Sequence, residues 1–196
     1  MTLQRDLFGE STPAIGGLSI VANVVAAEQQ ARLTAMIDAS ELSPFRFGQW
    51  TGKRLTASFG SAYDYARGQV TDAPPLPAWL VDLRGRIAPL VGLSPDVLKQ
   101  ALLIRYDAGA AIGWHRDRPQ YGEIIGLSLG APAAMRFRRR RAEGGFDRVS
   151  VPLEPGSIYH LSGEVRDGWE HSIAPLEQTR WSVTFRTLRA DQAGTP

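Results

Sequence analysis

The carboxy-terminal half of this chain is cut into apolar stretches of four to eight residues, Ala101 to Tyr106, Glu123 to Leu129, Ala133 to Phe137, Val149 to Leu153, Ser157 to Leu161 and Trp181 to Leu188. Stretches this short are poor helices but good strands, and turn residues divide them: Asp107-Ala108-Gly109, Gly130-Ala131-Pro132, Gly144-Gly145 and Pro155-Gly156. Successive strands of this kind must pair and close over an apolar interior, so the pattern predicts a sandwich or barrel. The amino-terminal half reads differently. Ala26 to Ala39 carries Ala26, Gln30, Leu33, Met36 and Ile37 at near-helical spacing. Ala78 to Val91 places Trp79, Leu80, Leu83, Ile87, Leu90 and Val91 on one helical face, with Pro89 expected to end it early. Ser94-Pro95-Asp96 predicts a cap and a short helix to Gln100. Phe45 to Tyr65 lacks helical order and predicts strands and loops.

A chain of 196 residues suits one compact domain. The expected division is an amino-terminal arm, residues 1–17, and a single domain over 18–190. No apolar run approaches the roughly 20 residues that span a bilayer, and the amino terminus lacks the order of a secretory signal, which makes the cytoplasm the expected location. The chain has no cysteine, so a metal must bind through His, Asp or Glu. Formal charge is only +2, but Arg136 and Arg138 to Arg141 cluster between two predicted strands, a candidate hairpin tip for tracking phosphates.

The sharpest local feature is His115-Arg116-Asp117. On an extended segment the imidazole and the carboxylate share a face, about 6.6 Å apart at Cα, close enough to hold one ion. His171 lies 54 positions after Asp117. Two histidines and one carboxylate form the facial set of non-haem iron(II) oxygenases, and a zinc hydrolase could use similar ligands. His160 and Glu164 form no second metal set and are expected to be structural. Near the carboxy end Arg180, Ser182, Thr184 and Arg186 alternate with Trp181, Val183 and Phe185, so two arginines share a strand face with polar neighbours. Guanidinium groups bind carboxylates in a fork, and a dicarboxylate suits such a pair. Their Cα atoms lie roughly 20 Å apart along the strand, so both side chains are expected to lean inward.

Taken together, His115-x-Asp117, the distant His171 and Arg180-x5-Arg186 resemble the AlkB family of Fe(II)/2-oxoglutarate dioxygenases. Leu103-Ile104-Arg105-Tyr106-x-x-Gly109 is similar to the strand before that family's metal motif. Phe47-Gly48-x-Trp50, and Lys53 through Phe59-Gly60 to Tyr63-x-Tyr65, look like its nucleotide-recognition lid. The resemblance implies an α+β fold: a double-stranded β-helix, or jelly roll, over about 101–188, with amino-terminal helices packed outside and a lid over about 45–70. It implies Fe(II) held by His115, Asp117 and His171, with 2-oxoglutarate and O2 as cosubstrates. Tyr106 and Arg180 would hold the distal carboxylate, with Ser182 beside them and Arg186 near the chelating end. The family often has asparagine where Ile104 and Ser182 stand, and an acidic residue contacting the base where this chain has Arg118-Pro119.

The implied chemistry is oxidative removal of N-alkyl groups from nucleic-acid bases, most simply in DNA repair. The same chemistry on RNA or on a protein side chain is an alternative, and so is a nucleic-acid binding module with a degenerate metal site. A base must leave its stack to reach a buried metal, and a flipped base stacks on aromatic side chains. Phe59, Tyr63, Tyr65 and Trp114 are the candidates, with Arg118, Arg138, Arg139 and Arg140 as further substrate contacts. A monomer is expected. Gln4-Arg5-Asp6-Leu7-Phe8 resembles the pentapeptide by which bacterial repair proteins engage the sliding clamp, with Gln4, Asp6, Leu7 and Phe8 as its matching residues.

Overall fold

The structure is a computed structural model that describes residues 15–47 and 50–189. The residues of the clamp-like pentapeptide lie outside them, as do the side chains of Phe47 and Trp50. In chain order the strands are β1 (Leu18–Val21), β2 (Ser43–Phe47), β3 (Trp50–Phe59), β4 (Ser61–Asp64), β5 (Gln69–Asp72), β6 (Leu98–Tyr106), β7 (Ile112–His115), β8 (Tyr121–Gly130), β9 (Ala133–Arg140), β10 (Phe146–Leu153), β11 (Ile158–Leu161), β12 (Glu170–Ile173) and β13 (Arg180–Leu188). The helices are α1 (Ala27–Asp38), α2 (Ala78–Ile87) and α3 (Gly163–Gly168). Seven strands form a large sheet in the order β1-β11-β8-β13-β6-β3-β2, four form a smaller sheet, β10-β9-β12-β7, and β4 and β5 form a hairpin. The strand pairs are antiparallel. This is the jelly roll expected, with α1 and α2 packed outside it.

Alternation along β13 sorts the interior into two chemistries. Val183 and Phe185 face a core shared with Leu33 and Ile37 of α1, and Leu80, Leu83 and Ile87 of α2. Burying a side chain such as Phe185 contributes about 2–3 kcal/mol. Arg180, Ser182, Thr184 and Arg186 face the other way, toward the smaller sheet, and are buried. A second core fills part of that space, joining Ile124, Tyr159 and Leu161 of the large sheet to Met135, Phe137 and Leu153 of the small one. Gly126 makes room for Tyr159: a Cβ at position 126 would stand 2.0 Å from the phenol Cζ.

Several expectations change in the structure. The helix predicted from Ser94 to Gln100 shrinks to a 3₁₀ turn, Pro95–Val97, because Leu98 is drawn into the core and Gln100 pairs across from Arg186. The second helix gives way to 3₁₀ geometry at Ala88–Val91, which turns Leu90 out to 48% exposure instead of keeping it on the buried face. The arginine cluster is not a hairpin tip. Arg136 to Arg140 lie within β9, paired with β10, and the turn itself spans 141–145. α3 and β12 were not anticipated, being six and four residues long.

A candidate metal centre beside a large cavity

β7 and β12 lie side by side with His115 opposite His171, so strand pairing alone brings residues 56 positions apart into contact. Their ring centroids are 4.3 Å apart. Asp117 follows two residues after β7 ends, and its Oδ2 lies 3.5 Å from His171 Nε2. One ligand atom from each of the three residues falls within 4.8 Å of the others. His115 Nδ1 is 2.9 Å from the Gly113 carbonyl. A carbonyl only accepts, so the ring donates from Nδ1 and turns the Nε2 lone pair toward the shared point.

Arg186 orients the carboxylate. Its Nε and Nη2 donate to Asp117 Oδ1 at 3.1 and 2.8 Å, leaving Oδ2 for a metal, and its Nη1 donates to Gln100 Oε1 at 2.8 Å. Burial alone would raise the Asp117 carboxyl, but Arg186 and then the two imidazoles hold it well below the usual carboxylate range. His171 is pushed down to about 3, first by burial and then by His115. Burial likewise lowers His115. At neutral pH the centre therefore presents two neutral imidazoles and one carboxylate, the protonation state a divalent cation needs.

Deeper along the same face Arg180 is 1% exposed. Its Nε donates to Ser128 Oγ at 3.3 Å, its guanidinium lies 5.4 Å from the Tyr106 ring, and its buried Nη2 has no partner among the described residues. A buried cation with an unused donor fits a carboxylate ligand, since an unpaired buried charge is otherwise costly. Ser182 and Ser128 stand opposite each other beside it, and Tyr106 is its cross-strand partner. Only one of the two arginines leans inward as expected: Arg180 reaches toward Ser128, whereas Arg186 is held at its own level by Gln100 and Asp117. The residues present thus fit both iron(II) and 2-oxoglutarate.

Beside the metal ligands a cavity of about 740 Å³ opens, lined by His115 and Asp117 and by residues of β3, β4 and β7. Tyr63, Tyr65, Trp114 and Arg118 all line it. The Arg118 guanidinium lies 4.9 and 4.8 Å from the Tyr63 and Tyr65 rings. Phe59 does not line it, because alternation puts Phe59 on the opposite face of β3, packed against the first core. The arginine cluster also divides by alternation. Arg138 sits between Trp114 and Phe146, 4.5 and 4.7 Å from their rings, and pairs with Glu170 at 2.6 Å. Arg136 also approaches Trp114, and Arg140 approaches Phe146. Arg139 faces away, held by Glu164 at 2.5 Å and Asp147 at 3.3 Å. His160 bonds Glu123 at 2.7 Å, and Glu164 serves Arg139 and Trp169, structural contacts in both cases.

Three contributors escaped the sequence reading. Tyr159 is buried near Thr184, Arg180 and Asp117, and burial raises its phenol. Arg166 donates to the carbonyls of Arg118, Tyr121 and Gly122, fixing the loop after the metal motif. Arg54 lines the cavity. Its signal was available, since Gly52, Arg54, Thr56 and Ser58 recur at the strand period and all face the cavity.

Residues 18–190 match the model of the 2OG-Fe(II) oxygenase superfamily. The chain belongs to that superfamily. Family membership brings Fe(II), 2-oxoglutarate and O2 with it, and the three ligands and Arg180 are placed to receive the first two. The chain is 30% identical over 163 residues to the rat alpha-ketoglutarate-dependent dioxygenase alkB homolog 3, covering 73% of this chain and 52% of that one. It is 31% identical over 125 residues to alpha-ketoglutarate-dependent dioxygenase AlkB of Escherichia coli K12, covering 58% and 56%. The chain thus spans about half the length of these curated relatives. The solved structure of OsALKBH1 shares the fold, with a TM-score of 0.70 at 14% identity over 95% of this chain and 100% of that one. These relatives support the AlkB resemblance. No helix among the described residues is long and apolar enough to cross a membrane.

Proposed function

We propose that this 2OG-Fe(II) oxygenase removes N-alkyl groups from bases in nucleic acid, DNA in preference to RNA, as a repair enzyme. The observation that carries the reading is a cavity with ample room for a base, lined by the metal-ligand candidates His115 and Asp117 together with aromatic rings and arginines. Iron(II) bound there supplies O2 activation coupled to decarboxylation of 2-oxoglutarate to succinate, so that one oxygen atom reaches the N-alkyl carbon and that carbon leaves as an aldehyde.

The protein's residues position. His115, Asp117 and His171 hold the metal on one face, and Arg186 fixes which carboxylate oxygen Asp117 offers. Arg180, Tyr106 and Ser182 bind the far carboxylate of the cosubstrate, with Ser128 and Thr184 supporting them. Tyr63, Tyr65 and Trp114 supply faces on which a flipped base stacks. Arg138 and Arg140 lie on the outer face of the small sheet, continuous with Trp114, where they meet flanking phosphates.

Methylated DNA and RNA oligonucleotides incubated with the protein, iron(II), 2-oxoglutarate and ascorbate, then weighed by mass spectrometry, test this directly. Loss of one methyl group in step with succinate formation is expected, faster on DNA. Succinate without demethylation would move the reading to a protein or small-molecule substrate. The preference for DNA draws on Gln4, Asp6, Leu7 and Phe8, a short peptide with adjacent apolar anchors suited to a pocket on a sliding clamp. A peptide of residues 1–12 is expected to bind a bacterial clamp, and the same peptide with Leu7 and Phe8 changed to alanine is not. A monomeric enzyme in the cytoplasm completes the proposal.

A further inference from the structure

The cavity carries more positive charge than a metal site requires. Its charged lining residues are Arg54, Arg116, Arg118, Arg186 and Asp117, and the last two neutralise each other. The Arg116 guanidinium turns away to donate to the Asp167 carbonyl, so two guanidinium groups, those of Arg54 and Arg118, lie against aromatic residues that line the space, and the only carboxylate among the lining residues is the metal ligand itself. Arg54 is mounted for contact: its guanidinium stacks 4.0 Å from the Phe45 ring, which Tyr65 braces edge-on at 5.6 Å. Its Nε is buried without a hydrogen-bond partner among the described residues. It stands close enough to His115 for its charge to help lower that imidazole. Arg118 lies against Tyr63 and against the same Tyr65.

Arginine donates hydrogen bonds and accepts none, so these walls ask for acceptors. Alkylated bases divide sharply on this criterion. Alkylation of a ring nitrogen that carried only a lone pair, N1 of adenine or N3 of cytosine, leaves a base that is positively charged at neutral pH, with an amino group beside the alkylated nitrogen. Alkylation of a ring nitrogen that carried a proton leaves a neutral base. N3 of thymine or uracil then has carbonyls on both sides, and N1 of guanine has one carbonyl and one amino group. A cationic base beside the Arg54 and Arg118 guanidinium groups is repelled, and a carbonyl-flanked base is not. Resting on the reading of this chain as a base dealkylase, we propose that the cavity selects neutral alkylated bases, N3-alkylthymine or N3-alkyluracil first and N1-alkylguanine second, with Arg54 and Arg118 donating to the carbonyl oxygens.

Four single-stranded DNA oligonucleotides, identical except for N3-methylthymine, N1-methylguanine, N1-methyladenine or N3-methylcytosine, test the proposal in one competition with the iron- and 2-oxoglutarate-loaded protein. Relative kcat/KM is read by mass spectrometry and relative affinity by anaerobic binding of labelled copies. The neutral pair is expected to lead by about tenfold or more in both. Arg118→Glu should bring the cationic lesions up and narrow that lead, and Arg118→Gln, which keeps the bulk without the charge, should narrow it less. Equal or inverted ranking by the parent protein overturns the proposal, as does a ranking that both variants leave unchanged. Dealkylation of cationic lesions alone sinks this selectivity while sparing the dealkylase reading. No dealkylation of any of the four, with 2-oxoglutarate still consumed, sinks the dealkylase reading itself.

Discussion

At the closed end of the interior the whole Arg180 side chain is 1% exposed and its Nη2 has no partner among the described residues, whereas at the open end the Arg118 and Arg54 guanidinium groups lie 4.9 and 4.0 Å from aromatic rings beside a cavity. The same side chain serves two purposes. Buried between strands, a guanidinium with an unused donor is costly unless an anion joins it, which makes its site specific for a small carboxylate. Set against aromatic rings beside an open cavity, with its terminal nitrogens turned to that space, it tunes what enters by charge. Between the two stands the metal centre, where the Arg186–Asp117 pair is closed on itself. The closed end should thus respond to mutation in an all-or-none way, and the open end by degrees.

The largest effects belong to the centre. His115→Ala, Asp117→Asn and His171→Ala should each abolish coupled turnover, because a facial set with one member missing misplaces the bound metal. Asp117→Asn should also cost on the order of 3 kcal/mol in urea denaturation, since it leaves Arg186 buried without its anion. Near-normal succinate formation by any one of the three would remove that residue from the ligand set. Arg180→Ala comes next. Removing a charge-assisted hydrogen bond of about 1.5–3 kcal/mol should raise the 2-oxoglutarate requirement roughly tenfold to a hundredfold, with iron affinity little changed. An unchanged requirement would place the cosubstrate elsewhere.

What the sequence made legible follows from period. The alternation Arg180, Ser182, Thr184, Arg186 placed one face of β13 correctly because a strand has only two faces and its apolar residues had already claimed one. The metal set was legible for a different reason, its rare residue types: the chain has only three histidines. Phe59 was misplaced because its aromatic ring drew attention while its parity, one step from Ser58, did not. The arginine cluster was misread because composition says nothing of register. The pairing of Arg140 with Phe146 carries the strand past the apolar stretch, so the turn begins only after it. Arg166 left no local signal, since its partners are three carbonyls, in the loop before β8 and at that strand's start, more than forty residues away.

Acid should sharpen the contrast between the two ends. His171 is pushed down to about 3, so in the metal-free protein the unfolded chain takes up that proton near its ordinary value of about 6.5 while the folded chain does not. Stability should therefore fall as pH drops from about 6.5 toward 3, with Asp117, whose folded carboxyl lies below its usual range, extending the loss at the acid end. Guanidinium groups stay charged throughout, so the arginines of the open end add nothing to this slope. Urea denaturation of the metal-free protein at pH 7 and pH 5 measures it. His171→Gln should flatten the slope; an equal slope in parent and variant would assign it to other groups.

The smallest effect is expected on the outer face of the small sheet. Arg136, Arg138 and Arg140 share that face with Phe146 and Arg148, and Glu170 is the acidic partner that Arg138 meets there. Arg139 and Arg141 are tied to Asp147, and Arg139 also to Glu164. If the outer face tracks phosphates, each phosphate of a single strand that is no longer neutralised should lower the slope of log affinity against log salt by about 0.7. Changing Arg136 and Arg140 to serine should therefore flatten the salt dependence of oligonucleotide binding by about 1.4 at most. Changing Arg139 and Arg141 should leave the slope alone and instead remove surface ion pairs of about 0–1 kcal/mol each. The two double variants remove the same amount of charge, so a general field effect would flatten both slopes alike. Only a slope that falls for the outer pair and holds for the inner pair keeps the phosphates on this face, and the reverse result would move them to the hairpin beyond Arg140.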